Sequence, residues 1–217
     1  MFERVTQAID SMTGETHQVD PSRFNDPVAL KTQWSMISKG GAGFGSHKLN
    51  NVGDDVLAFK LTWGVYFLSI AFLLIWIAGS LGFWFNGMRE IAPYVILGIF
   101  GGIGVFIFLS SAKPIVFDKG KGLFIKGKLS KGESDEVGSA KTVKLEDIHA
   151  LQVLARMQRH YDDKTRTYHT DMTYEMNLVL HDATRKSVLR HGNRGQMLDD
   201  AETIANFLGI PVWDATA

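Results

Sequence analysis

The chain has 217 residues, and 23 Lys+Arg balance 23 Asp+Glu, so no net charge draws nucleic acid or acidic substrates from a distance. It contains no cysteine, which excludes disulfides, thiolate metal sites and cysteine nucleophiles. At roughly 100–200 residues per domain, the length allows one soluble domain beside whatever the apolar segments build.

Residues 1–13 place Phe2, Val5, Ile9 and Met12 three and four apart, the pattern of a weak amphipathic helix. Glu3, Arg4, Gln7 and Asp10 lie between them, and the charges at Glu3, Arg4 and Asp10 would interrupt any apolar h-region, so no secretory signal is expected. Ser11–Asp26 is polar, with Gly, Pro and Ser, and reads as a linker. Ser38–Ser46 is dense in glycine, like a phosphate cradle, but lacks the Lys-hydroxyl ending and the strand-to-helix context. A flexible loop or a bulged strand start is expected there. His47–Asn51 and Asp55–Phe59 have the composition of paired strands around a turn at Asn51–Asp54.

Two uncharged apolar runs follow, Leu61–Met88 and Ile91–Ala112, separated only by Arg89 and Glu90. Each is long enough to cross a bilayer, since ~20 residues at about 1.5 Å rise span the ~30 Å hydrocarbon core. So short a connection sends the second helix straight back, which predicts a transmembrane hairpin with both ends on one side. Lys48 and Lys60 precede it, Lys113, Lys119, Lys121, Lys126, Lys128 and Lys131 follow it, and the turn carries Arg89 alone. That bias predicts a multi-pass protein with both termini in the cytoplasm and the turn outside. Trp63 and Tyr66 at one level, and Phe83, Trp84, Phe85 and Tyr94 at the other, form the expected aromatic belts. Asn86-Gly87 supplies turn chemistry, and Pro93 falls in the first turn of the second helix, where its missing N–H costs little.

Ala78 with Gly82, and Gly98 with Gly102, have small-xxx-small spacing, which suits close helix packing within the hairpin or between copies. No charged, amide or histidine side chain lies in the middle of either run, and Ser69 and Ser80 are the interior polar groups. Membrane lipids are the expected partners of the lysine cluster, at roughly 1 kcal/mol per lysine near an anionic surface. The same lysines also enforce topology without any further role.

Beyond the hairpin the period changes to two. Ile115–Phe117 and Leu123–Lys126 flank a turn at Asp118–Gly122, and Leu129–Lys141 reads as a mobile loop. Thr142–Leu145, Ile148–Met157, Tyr174–Leu180 and Lys186–Leu189 are expected strands, with a loop at Asp162–Arg166 and a turn at His181–Arg185. A last helix carries Ala201, Ile204, Ala205 and Leu208 on its apolar stripe, takes Asp199 and Asp200 as first-turn charges, and stops at Gly209. Trp213 is expected to pack back on the body.

The fold class predicted is an α+β membrane protein: a two-helix transmembrane hairpin inserted in a small antiparallel β domain with a C-terminal capping helix. The chain divides into an N-terminal helix and linker (1–25), the first strands (26–60), the hairpin (61–112) and the remainder of the β domain (113–217). The histidines lack helical metal spacing, and His149 is expected half-buried in the sheet. No GxSxG is present. No catalytic, cofactor-binding or metal residue is assigned, and no cofactor is expected.

Phe117–Phe124, Leu145–Gln152, Tyr174–Asp182 and Phe207–Asp214 together resemble the bacterial pleckstrin-homology-like membrane proteins. More narrowly, with Asp26–Trp34 and Gly40–Phe44, the chain is similar to a group of proteobacterial two-transmembrane-helix proteins for which no catalytic residues are established. The resemblance covers most of residues 26–214 and implies a pleckstrin-homology-like cytoplasmic domain and a membrane address. The expected function is non-catalytic: an inner-membrane-anchored interaction or assembly module whose partner is a membrane protein or a second copy. The competing class is a subunit of a small oligomeric channel or transporter.

Overall fold

The computed structural model describes residues 19–37, 47–111, 114–127, 142–162 and 166–216. The expected N-terminal amphipathic helix, the first half of the linker, the glycine-dense segment and the loop 129–141 lie outside those residues.

The first sheet has five antiparallel strands in sequential order: β1 (His47–Gly53), β2 (Val56–Leu61), β3 (Ile115–Asp118), β4 (Leu123–Lys126) and β5 (Thr142–Lys144). The two apolar helices lie between β2 and β3, yet those strands pair directly, Leu57 against Phe117 and Phe59 against Ile115. The helical pair therefore emerges from one end of a β-hairpin and returns to it. The second sheet has the order β8 (Arg185–His191), β7 (Thr167–Leu180), β6 (Ile148–Asp162), β9 (Val212–Ala215). Its pairings are antiparallel except β6 with β9, a parallel edge pair made possible by the returning helix. Trp213 does pack back, and it does so from within that added strand.

Alternating side chains explain why the sheets stack. Leu57, Phe59, Phe117, Phe124 and Val143 from the first sheet meet Leu151, Val153, Met176, Leu178 and Val188 from the second in one core. Helix α4 (Arg194–Leu208) completes that core with Met197, Ala201, Ile204 and Ala205, spaced three and four apart. Its N-cap is Asn193, whose side chain accepts from Gln196 N, and left-handed Gly209 (φ 74°) ends it. The helix thus begins earlier than the charge pattern suggests. Asp199 and Asp200 fall in its second turn, away from the amide-rich end that favours carboxylates.

The opposite face of the second sheet is covered as well. A 3-10 turn (Pro21–Phe24) and the short helix α1 (Pro27–Lys31) lie across it, and Phe24, Trp34 and Trp213 stack there at 4.9–5.9 Å. Residues 19–37, which take in the second half of the expected linker and the start of the segment expected as strands, are therefore a docked strap, because Phe24 and Trp34 pack against Ala150, Val179 and Trp213.

Helices α2 (Trp63–Phe85) and α3 (Ile91–Ser111) pack on each other, and most of their side chains face outward. By length and composition both can cross a membrane. The seam between them alternates large and small residues. Phe72 meets Gly104, Trp76 meets Gly101, Leu97 meets Gly79, and Phe83 meets Tyr94 edge-on at 6.0 Å. Along α2 these positions recur at 72, 76, 79 and 83, the antiparallel 3-4 pattern that keeps one seam facing a partner. Asn86-Gly87 forms the turn, with Gly87 at φ 76°.

The spacing-based pairs are not this seam. Gly82 and Gly102 have nothing within 4 Å of an added Cβ, Ala78 is exposed, and Gly98 reaches only Trp76 Nε1 at 4.0 Å. At Gly101 an added Cβ falls 2.7 Å from the Trp76 ring. Gly101→Leu should therefore destabilise the helical pair by about 1–3 kcal/mol, whereas Gly102→Leu should change it by less than about 0.5 kcal/mol. Thermal unfolding in mild detergent, followed by tryptophan fluorescence, measures both.

Candidate functional site

The strap closes over a row of polar side chains that a period-two strand would ordinarily turn to water. Gln152 on β6, and Glu175 and Asn177 on β7, are each fully buried on the outer face of the second sheet. The strap makes that burial tolerable by pairing them. Glu175 Oε1 accepts from Ile37 N at 2.8 Å and from Asn177 Nδ2 at 3.0 Å. Gln152 Nε2 donates to Gln33 O at 3.0 Å, and its Oε1 accepts from Arg185 at 3.1 Å. The Arg185 guanidinium also donates to Ser35 O at 2.7 Å. Burial lowers Arg185 from its ordinary pKa, and the Glu175 charge opposes that shift. The arrangement is a clasp, in which sheet side chains bind strap backbone.

A second polar group lies at the start of the strap. Asp26 caps α1 through Val28 N at 2.8 Å and meets His149 Nε2 at 2.7 Å. The other ring nitrogen of His149 is 3.2 Å from His181 Nδ1, so both nitrogens of His149 are engaged. Burial raises the Asp26 pKa, but bonds from His149 and Val28 outweigh it and hold the carboxyl below its ordinary value. This part of the clasp is therefore present at neutral pH and weakens only as the pH falls through that lowered pKa. A general base needs a nitrogen aimed at substrate, and His149 has none free. His149 is partly buried, with Asp26 of the strap on one ring nitrogen and His181, just past β7, on the other. Among the described residues no three metal-ligating side chains converge.

The expected lipid-facing lysines occupy different places. Lys119 and Lys121 lie at the β3–β4 turn, the end of the sheet away from the apolar helices. There Lys119 Nζ sits 4.4 Å over the Phe207 ring, and Lys121 pairs with Asp118 at 3.3 Å. Lys126 is at the helix end, opposite Ile115, and its Nζ donates to Ser187 O at 2.7 Å, tying the first sheet to the second. Lys113, Lys128 and Lys131 lie outside the described residues. The three described lysines do not form one patch, because the strand carries two of them some four residues away from the helices. An open recess of about 370 Å³ sits at the base of α2, lined by Leu61, Trp63, Tyr66 and Ile70. Its walls are mostly apolar, and none of these four side chains is a carboxylate, lysine, arginine or histidine.

The clasp was not legible in the chain: Gln152, Glu175 and Asn177 have the alternation of a solvated strand face. The one available signal was the aromatic content of Phe24 and Trp34 ahead of the first strand. Comparison with protein-family models, with curated proteins and with solved structures returns no match.

Glu175→Ala should cost about 2–4 kcal/mol, since it strands buried donors, and Glu175→Gln distinctly less. Chemical denaturation gives the cost, and faster hydrogen exchange at the Ile37 amide shows that the strap has loosened. Asp200 titrates oppositely to Asp26. Burial and the neighbouring Asp199 push its pKa up to about 6, with Lys48 partly offsetting them. A carboxyl raised on folding favours the folded state at low pH and loses that advantage as the pH rises from its unfolded value of about 4 through 6. Asp200→Asn should flatten stability across that window and raise it at neutral pH by about 1 kcal/mol, discounted for its partial exposure. Unfolding curves between pH 4 and 7 test this.

Proposed function

We propose that the chain is a membrane-anchored interaction module: the helical hairpin spans the inner membrane, and the β domain is presented on the cytoplasmic side. The observation that carries this reading is the contrast between the two parts. The β domain covers both faces of its second sheet and pairs Glu175, Gln152 and Arg185 beneath the strap, while α2 and α3 leave most of their apolar surface uncovered. Water cannot accommodate two such helices, and a bilayer can. The Lys/Arg bias across the hairpin supports cytoplasmic termini.

A pleckstrin-homology-like domain is the fold reading that best fits two stacked sheets closed by a late helix. The partner is a membrane protein or another copy of the chain. Gly82, Gly102 and Ala78 stand clear of the hairpin seam, which leaves a small-residue surface for helix packing. The polar groups that conduction needs are scarce in the helices, since Ser69 is buried in the hairpin seam. This favours an anchor over a pathway.

The absence of cysteine makes the topology directly testable. In inverted and right-side-out vesicles, a membrane-impermeant thiol reagent should label Asn86→Cys from the outside and Gly120→Cys from the inside. Labelling of both from one side, or release of the protein by alkaline carbonate, would overturn the proposal.

A further inference from the structure

Several contacts establish which end of the second sheet lies level with the apolar helices. The helices leave after Leu61 and return before Ile115, so Lys60 with Lys48, and Ile115 with Lys126, mark the helix end of the first sheet. The β3–β4 turn at Lys119–Gly122 marks the far end. Helix α4 spans this distance: Phe207, near its C-terminus, touches Lys119 of the far turn, and Asp200, two turns earlier, feels the charge of Lys48. The N-terminus of α4 therefore points to the helix end. It follows directly from His191, the β8 residue opposite Tyr174. The other end of the second sheet agrees, because His181 N bonds Asp147 O while Leu145 N bonds Gly122 O of the far turn.

Strands β6 and β7 do not stop at Tyr174. They continue together for seven more residue pairs, from Arg156 opposite Thr173 to Asp162 opposite Thr167, without β8 or β9 alongside. At about 3.4 Å per residue this two-stranded ribbon extends ~23 Å past the domain, on the side of the hairpin. The register keeps Met157, Arg159, Tyr161, Tyr168, Thr170 and Met172 on the face that Ala155 and Tyr174 present to the core. Arg156, His169, Asp171 and Thr173 fall on the other. The large side chains of this mixed face are uncovered, with Tyr161 51 %, Tyr168 72 % and Met172 39 % exposed, and the two tyrosine rings lie 5.0 Å apart.

We propose that this ribbon is a second membrane contact, its Tyr161–Tyr168 pair seated in the lipid headgroup layer beside the hairpin. The inference rests on the membrane reading above. Tyrosine favours that layer because its ring is apolar and its hydroxyl remains hydrated. Two tyrosines alone would hold a free peptide weakly. Here the hairpin already tethers the domain at the surface, so ribbon binding is intramolecular and draws on a high effective concentration. The ribbon and the hairpin are then two supports that fix the tilt of the β domain and hold the strap-covered face in a constant orientation.

The test is a nitroxide scan of the full chain in phosphatidylcholine–phosphatidylglycerol vesicles, with single cysteines at Tyr168, Met172, Leu74 and Lys121. Accessibility is read with oxygen, which concentrates in lipid, and with a nickel chelate, which stays in water. Leu74→Cys should be open to oxygen alone and Lys121→Cys to nickel. Tyr168→Cys and Met172→Cys should be intermediate, with oxygen access severalfold above that of Lys121→Cys. If the two ribbon labels match Lys121→Cys while Leu74→Cys remains in lipid, the ribbon contact is overturned and the anchor stands. If Leu74→Cys is open to nickel, both readings fail. Protection of the ribbon labels from both reagents means a protein occupies that face, such as a second copy, and also overturns the proposal.

Discussion

The pairing of β2 with β3 is the constraint on which the rest of this molecule depends. Phe59 lies opposite Ile115 although the whole apolar hairpin separates them in sequence. Closing so long a loop costs little more entropy than closing a moderate one, because the cost grows only with the logarithm of length. The inserted segment also closes itself, since α2 and α3 pack along the Trp76–Gly101 and Leu97–Gly79 seam and bring their own ends together. The sheet therefore tolerates the insertion. In return, the two strands hold the helices at one end of the domain. Everything placed relative to that end, from the β3–β4 turn to the β6–β7 ribbon, follows from the single register.

A second dependency runs through the strap. The second sheet has two faces to cover, and the first sheet with α4 covers only one. Residues 19–37 cover the other through Phe24, Trp34 and Met36 and the clasp of Glu175, Gln152, Asn177 and Arg185. The aromatic contacts supply most of the burial. The polar clasp adds register more than net stability, because each buried hydrogen bond largely replaces one to water, at about 1 kcal/mol net. Its removal is nevertheless costly, since an unpaired carboxyl or guanidinium would remain in the interior. Asp26 ties both roles together by capping α1 and bonding His149.

Local periodicity explains which parts were legible in the sequence. The strands from Val56 to Lys126, the apolar helices and the Asn86-Gly87 turn follow from patterns within a few residues of one another. The start of α4 was misplaced because Asp199 and Asp200 resemble first-turn charges, whereas the Asn193 cap lies one turn and a half earlier. The glycines of the hairpin seam are hidden for a related reason. Four-residue spacing singles out Gly98 and Gly102, but the choice between neighbouring glycines depends on where Trp76 points. The strap, the burial of Glu175 and the parallel strand β9 were not legible at all, because each depends on contacts between segments more than 60 residues apart. The lysines expected to face lipid are countable in the sequence, but their separation along β3 and β4 is a property of the fold.

The claim that the β domain is one folding unit interrupted by the hairpin is open to direct measurement. Residues 61–113 can be replaced by Asn-Gly, a dipeptide suited to a two-residue antiparallel turn, so that β2 runs straight into β3. If the account is right, the shortened chain is soluble without detergent and unfolds in one cooperative transition. Its Ile37 amide stays protected from exchange. A chain that aggregates, or that unfolds without cooperativity, would contradict it.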